Sequence, residues 1–201
     1  MSDNYAKIVQ DNLARLYKNL PAKLAEALSA EQDGDSFSFD AFGEKCQIQP
    51  GRITLGGQEQ AGVLGILISL YALHAQSVSC VTEPFRAFKD FPGSMPYVGA
   101  FATHTEHLLL PHVERIKDIW ESLTTPLQGE KAPPDLGGDF AFVVWPLPKV
   151  ALCYIFYEAD EDFPASVTCL FSNNASAFLP MDGLADIGEY TSKKLISDLS
   201  I

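Results

Sequence analysis

A chain of 201 residues, 47% apolar and 20% charged, has the composition of one folded domain or two small ones, neither disordered nor fibrous. Its net charge of −12, from 14 Lys+Arg against 26 Asp+Glu, argues against nucleic-acid and anionic-membrane partners, because both need a basic surface. The acid is uneven: residues 1–100 hold 8 basic and 11 acidic groups (−3), residues 101–201 hold 6 and 15 (−9).

The first segment places Tyr5, Ile8, Val9, Leu13, Leu16 and Leu20 on one helical stripe. Pro21 interrupts it, and a second short helix carries Leu24 and Leu28. From Phe37 to Leu55 apolar and polar residues alternate around Gly43 and Pro50-Gly51, the pattern of a small β-meander. Gly56-Gly57 then opens a buried helix expected over roughly Gln58–Gln76. Residues 78–93 read as extended chain punctuated by Pro84 and Pro92, and helical patterning resumes at Met95, clearest at Leu109, Val113, Ile116, Trp120 and Leu123. The Pro- and Gly-rich segment 124–138 is a loop, and a possible boundary between lobes. Phe140–Trp145 and Val150–Tyr157 are apolar on both faces, with Pro146-Leu147-Pro148 as the turn, so a hairpin over about 140–157 is expected at a sheet centre. Val167–Phe171 is a further strand, and Asp182 can cap a last helix. Strands and helices arrive in blocks rather than as βαβ units, which predicts an α+β fold with a mainly antiparallel sheet.

The N-terminus has no apolar run of signal-peptide length, and the longest apolar stretch, Val63–Ala75, is 13 residues, too short to span a bilayer. Cysteines at 46, 80, 153 and 169 form no CxxC pair. Unpaired thiols without an export signal predict a reducing, cytoplasmic setting. Several chemistries are excluded by spacing. GGQEQAGVLG after Gly56 is neither a P-loop nor a dinucleotide fingerprint, and tight turning explains its glycines. No GxSxG surrounds Ser94. Glu158, Asp160 and Asp162 open like a calcium loop but Phe163 stands where glycine is required and Cys169 where glutamate is.

Three candidates survive. In Glu83–Gly93, Arg86 and Lys89 interleave with Phe85, Phe88 and Phe91, which suits a carboxylate or phosphate against an apolar wall; the plainer reading is that the rings plug the core while the cations pair with acids. His104, Glu106 and His107 could hold a divalent metal or supply acid/base catalysis, but Thr103-x-x-Glu106 also reads as a capping box. The acidic run Glu158–Asp162 follows the hairpin, where solvated acidic turns are common.

PFRAFKDFPGSMPY, AFATHTE and the stretch from Gly137 to Glu189, with Gly138-Asp139, Pro146–Pro148, Asp160–Pro164 and Leu179–Asp182 as the most specific parts, resemble an uncharacterised domain family of anaerobic bacteria and archaea over roughly residues 58–195. The resemblance implies a domain found alone or fused to a small iron–sulfur module, in organisms rich in corrinoid and one-carbon chemistry. It also implies Arg where this chain has His104, which favours anion binding there over metal ligation. The chain lacks a four-cysteine cluster set, so iron–sulfur chemistry would belong to a partner.

Together these readings predict a domain that binds a small anionic ligand or cofactor, or a redox partner, with Arg86, Lys89, Tyr97 and His104 lining the pocket and Asp139 and Asp160 as polar wall. The rivals are a metal-assisted or acid/base enzyme built on His104, Glu106 and His107, and a structural interaction module. No cofactor and no oligomeric state is specified by the sequence.

Overall fold

The N-terminal stripe folds as α1 (Ser2–Lys18), which buries Val9, Leu13 and Leu16; α2 (Leu24–Leu28) follows Pro21. The computed structural model describes residues 2–199. Alternation then builds the meander β1 (Glu31–Asp33), β2 (Ser36–Ala41), β3 (Glu44–Gln49), β4 (Arg52–Leu55) and β5 (Gln58–Glu59), an antiparallel sheet in sequence order. Opposed residues share a face, so the pairs Phe37↔Ile48, Phe39↔Cys46 and Ile48↔Ile53 send one continuous apolar surface inward. The β2–β3 turn forces Phe42 to a φ of 49° and Gly43 to 82°, the two-residue geometry that matches strand twist. A left-handed phenylalanine is strained. Burial of its ring, and its N–H donating to the Pro146 oxygen at 2.8 Å, hold it there and tie the first sheet to the second.

The helix expected over Gln58–Gln76 is shorter: α3 spans Val63–His74. Gly56 and Gly57, at φ of 56° and 79°, make a second tight hairpin turn into β5, so the chain adds an edge strand before the helix can start. Gly56-Gly57 is therefore not a helix N-terminus.

The second sheet contains β6 (Arg86–Ala87), β7 (Glu130–Lys131), β8 (Phe140–Leu147), β9 (Val150–Tyr157) and β10 (Ser166–Phe171), all antiparallel in the order β6-β10-β9-β8-β7. The doubly apolar hairpin is thus central, as its sequence demands. Its turn lies later than Pro146: β8 runs through Pro146 to Leu147 across a register irregularity after Val144, a place where a residue without an N–H is tolerated. Lys149 at the tip is almost wholly buried and donates to the Glu26 and Val78 carbonyls at 2.7 and 3.0 Å. Segment 124–138 is not a bare linker, since it supplies β7.

The remaining helices are α4 (Val98–Phe101), continued by a wide turn over Ala102–Glu106 and a tight one over His107–His112, then α5 (Val113–Thr124) and α6 (Met181–Asp198). Asp182 lies inside the first turn of α6 instead of capping it, because Pro180 precedes the helix; its carboxylate takes the Gly183 N–H at 2.9 Å. One apolar cluster joins α1, α3, α5, α6 and the inner faces of both sheets. A smaller one, with Ala132, Val143, Ala151, Cys153 and Ile155, lies on the other face of the second sheet.

Candidate functional site

The second sheet is incomplete at one edge. β6 pairs with β10 only through Arg86↔Phe171 and Ala87↔Leu170, after which the chain turns into a short helical turn at Phe88–Asp90. The Cys169 N–H next along β10 is met instead by a side chain: Glu106 Oε1 accepts it at 2.9 Å. Where strand gives way to side chain, a cavity of about 250 Å³ opens, lined among others by Phe88, Lys89, Val98, Phe101, Glu106 and Cys169.

Its apolar floor is built by phenylalanines. Phe88 stacks on Phe101 at 4.4 Å between centroids, and both lie within 5.9 Å of the Phe171 ring. Phe91 meets Phe171 edge-on at 6.0 Å. Fully buried Ser94 closes the loop by donating to the Lys89 oxygen at 3.1 Å. The wall formed by the wide turn is held by α6, which comes so close that a Cβ on Gly188 would sit 2.6 Å from Phe101 and 2.8 Å from Thr105 Oγ1. Thr105 itself is fully buried with no hydrogen-bond partner for its hydroxyl.

Burial pushes the Glu106 carboxyl above its ordinary range, with the Cys169 amide and His107 acting in the opposite direction. Cys169 and Tyr154 are pushed up far more strongly by burial, so both keep their protons. Tyr154 shares a hydrogen bond with Ser192 at 3.0 Å. The cavity is therefore bordered by an exposed ammonium, Lys89, and by a half-buried carboxyl, Glu106, that holds its proton more tightly than usual.

The predicted site residues divide. Lys89 lines the cavity, whereas Arg86 is occupied by its own loop: its guanidinium lies 4.4 Å from the Phe91 centroid and donates to the Asp90 oxygen at 2.6 Å. Phe88 and Phe91 plug the core, and Phe85 goes to the other side of the sheet. Tyr97 precedes α4 and is exposed, as are His104 and His107 on the helical turns. His104, Glu106 and His107 form no metal set, and among the described residues no group of three or more His, Cys, Asp or Glu side chains is placed to hold one. The capping-box reading is corrected as well. Thr103 lies inside a continuing helical segment and donates back to the Gly99 oxygen at 2.9 Å, while Glu106 serves β10. Asp139 accepts the Glu158 N–H at 2.7 Å, and Asp160 accepts those of Asp162 and Phe163 at 2.8 and 2.7 Å. Both aspartates close turns at the far end of the hairpin. Sequence spacing missed the Glu106–Cys169 contact because 63 residues separate the partners.

Fold and cavity together define an α+β domain of two antiparallel sheets with a small mixed-charge cavity at a broken sheet edge. The family model described as Domain of unknown function (DUF3786) matches residues 20–194, and the chain belongs to that family. The match begins well before residue 58 and so takes in the first sheet. No curated protein and no solved structure matches the chain. No helix among the described residues is long and apolar enough to cross a membrane.

Proposed function

We propose that this domain binds a small organic anion, a monocarboxylate with an apolar body, in the cavity at the broken edge of the second sheet. One observation carries the reading: Lys89 and a half-buried Glu106, whose carboxyl burial pushes above its ordinary range, share a largely apolar cavity of about 250 Å³. A ligand carboxylate takes a charge-assisted bond from Lys89, and where pH lies below the raised Glu106 value a second from the Glu106 carboxyl, while its body covers Phe88, Val98 and Phe101. Arg86 holds the loop in shape, so it acts on the site without touching the ligand. The same Glu106 also supports a second reading, general acid catalysis by a single carboxyl without histidine partners.

The four free thiols support a reducing, cytoplasmic setting. The anaerobic, one-carbon or corrinoid-related context and a redox partner are carried by the sequence resemblance. Titrating the protein with benzoate while following backbone amide shifts tests the site. Shifts should centre on residues 87–89, 98–106 and 168–169, and Lys89→Gln should weaken binding about tenfold, as loss of a charge-assisted contact does. Unchanged affinity in Lys89→Gln, or shifts centred elsewhere, overturns the assignment.

A further inference from the structure

The opposite face of the same sheet carries a larger opening. Its floor is Val143 on β8, backed by the small buried side chains of Ala151 and Cys153 on β9. Two chain segments from opposite edges of the sheet lie over this face, residues 82–85 ahead of β6 and residues 130–134 starting with β7. Between them is a cleft of about 530 Å³, within the range of about 300–1,000 Å³ usual for small-molecule sites.

Strand register settles the charge of this cleft. Glu130 is opposite Val143 and Lys131 is opposite Phe142, and directly opposed residues share a face. Glu130 therefore belongs to the cleft side; Lys131 also borders the cleft, but register directs its side chain with Phe142 toward the other face. Trp145 confirms the placement of Glu130, donating its indole N–H to Oε1 at 3.3 Å. Glu83 stands on the facing wall beside Phe85. Among the described residues neither carboxylate enters an ion pair.

We propose that this cleft binds a small organic ammonium ion with an apolar body, its cation between Glu83 and Glu130 and its body against Phe85, Val143 and Pro133. Carboxylates on both walls disfavour an anion, and the Phe85 ring adds a face that attracts cations. This site is separate from the Lys89–Glu106 cavity and stands whether or not that cavity binds a carboxylate.

The test is an amide-shift titration of the full chain with phenethylammonium and with its uncharged counterpart 2-phenylethanol. The ammonium should shift residues 82–85, 130–134 and 143, and the alcohol should bind about fivefold more weakly or worse. Glu83→Gln combined with Glu130→Gln should weaken the ammonium by a similar factor and leave the alcohol unchanged; glutamine keeps an acceptor for Trp145. Unperturbed amides in α1 and α3 show that the variant is folded. Equal affinity for the two probes, a double variant that binds ammonium as wild type does, shifts centred on Lys89 and Glu106, or no shifts at either probe each overturn the proposal.

Discussion

Phe142 and Val143 are neighbours on one strand, both fully or nearly buried, and they serve opposite purposes. Phe142 faces the main core, where its ring lies 6.0 Å from Trp120 and 5.3 Å from Phe156. Val143 faces the cleft, among Ala151 and Cys153. Because side chains alternate strictly along a strand, one hairpin supplies a densely filled core on one side and a shallow floor on the other. Side-chain volume makes the difference: aromatic rings interlock on the first face, and small residues leave room on the second.

The sharpest way to break that comparison is to truncate both residues. Phe142→Ala should cost about 3–5 kcal/mol, the usual loss for a buried ring in a filled core. Val143→Ala should cost only about 1.5 kcal/mol, near the burial value of the two carbons removed. Urea unfolding of each variant measures this. Similar losses would mean that the second face is packed as the first is, and that the cleft is no real opening.

The next effect tests the contact between α6 and the wide turn. Gly188→Ala places a methyl against Phe101 and Thr105, and overpacking of this kind costs about 1–3 kcal/mol. Since Phe101 floors the Lys89–Glu106 cavity, the variant should disturb that cavity and leave the cleft of the opposite face unchanged in the ammonium titration. Loss of both responses would show that the two sites are not separately supported. Thr105→Val acts at the same contact with the opposite sign. Removing a buried hydroxyl that has no partner should stabilise the fold by about 1 kcal/mol, because such a group bears its desolvation cost uncompensated. A lower Tm for this variant would indicate that the hydroxyl is satisfied in solution.

How much of this was legible in the sequence depends on range. The α+β class, the meander and the central hairpin follow from period-2 patterning in Phe37–Leu55 and Phe140–Tyr157, which is a local property of strands. Phe88 and Phe91 plug the core as the plainer reading of their loop expects, whereas Phe85, at the same spacing, goes to the other face of the sheet. The short range of that information explains the errors too. Gly56-Gly57 permits a turn toward either a helix or a strand, and only β4 as a partner decides for β5. Glu106 stands beside two histidines in sequence, yet its carboxyl is used by a β10 amide that spacing cannot reveal. Lys131 and Glu130 are adjacent charges, and only pairing with β8 places them on different faces. Asp139 and Asp160 look like pocket acids because turn-closing carboxylates and ligand-binding ones are the same residue type.

The smallest expected effect concerns Glu106 itself. A carboxyl whose pKa is raised in the folded state binds its proton more tightly there than in the unfolded chain, so its stabilising contribution is complete at low pH. That contribution is lost as pH rises from the ordinary carboxylate range through the raised value, and beyond it the loss is constant. Glu106→Gln keeps an acceptor for the Cys169 N–H but cannot ionise. The Tm of this variant relative to wild type should therefore climb across that window and then level off, by a modest amount since the group is only partly buried. A gap that shrinks with rising pH would place the carboxylate in a site that favours its charge. The cavity would then lack the proton-holding carboxyl on which the second contact to a ligand anion rests.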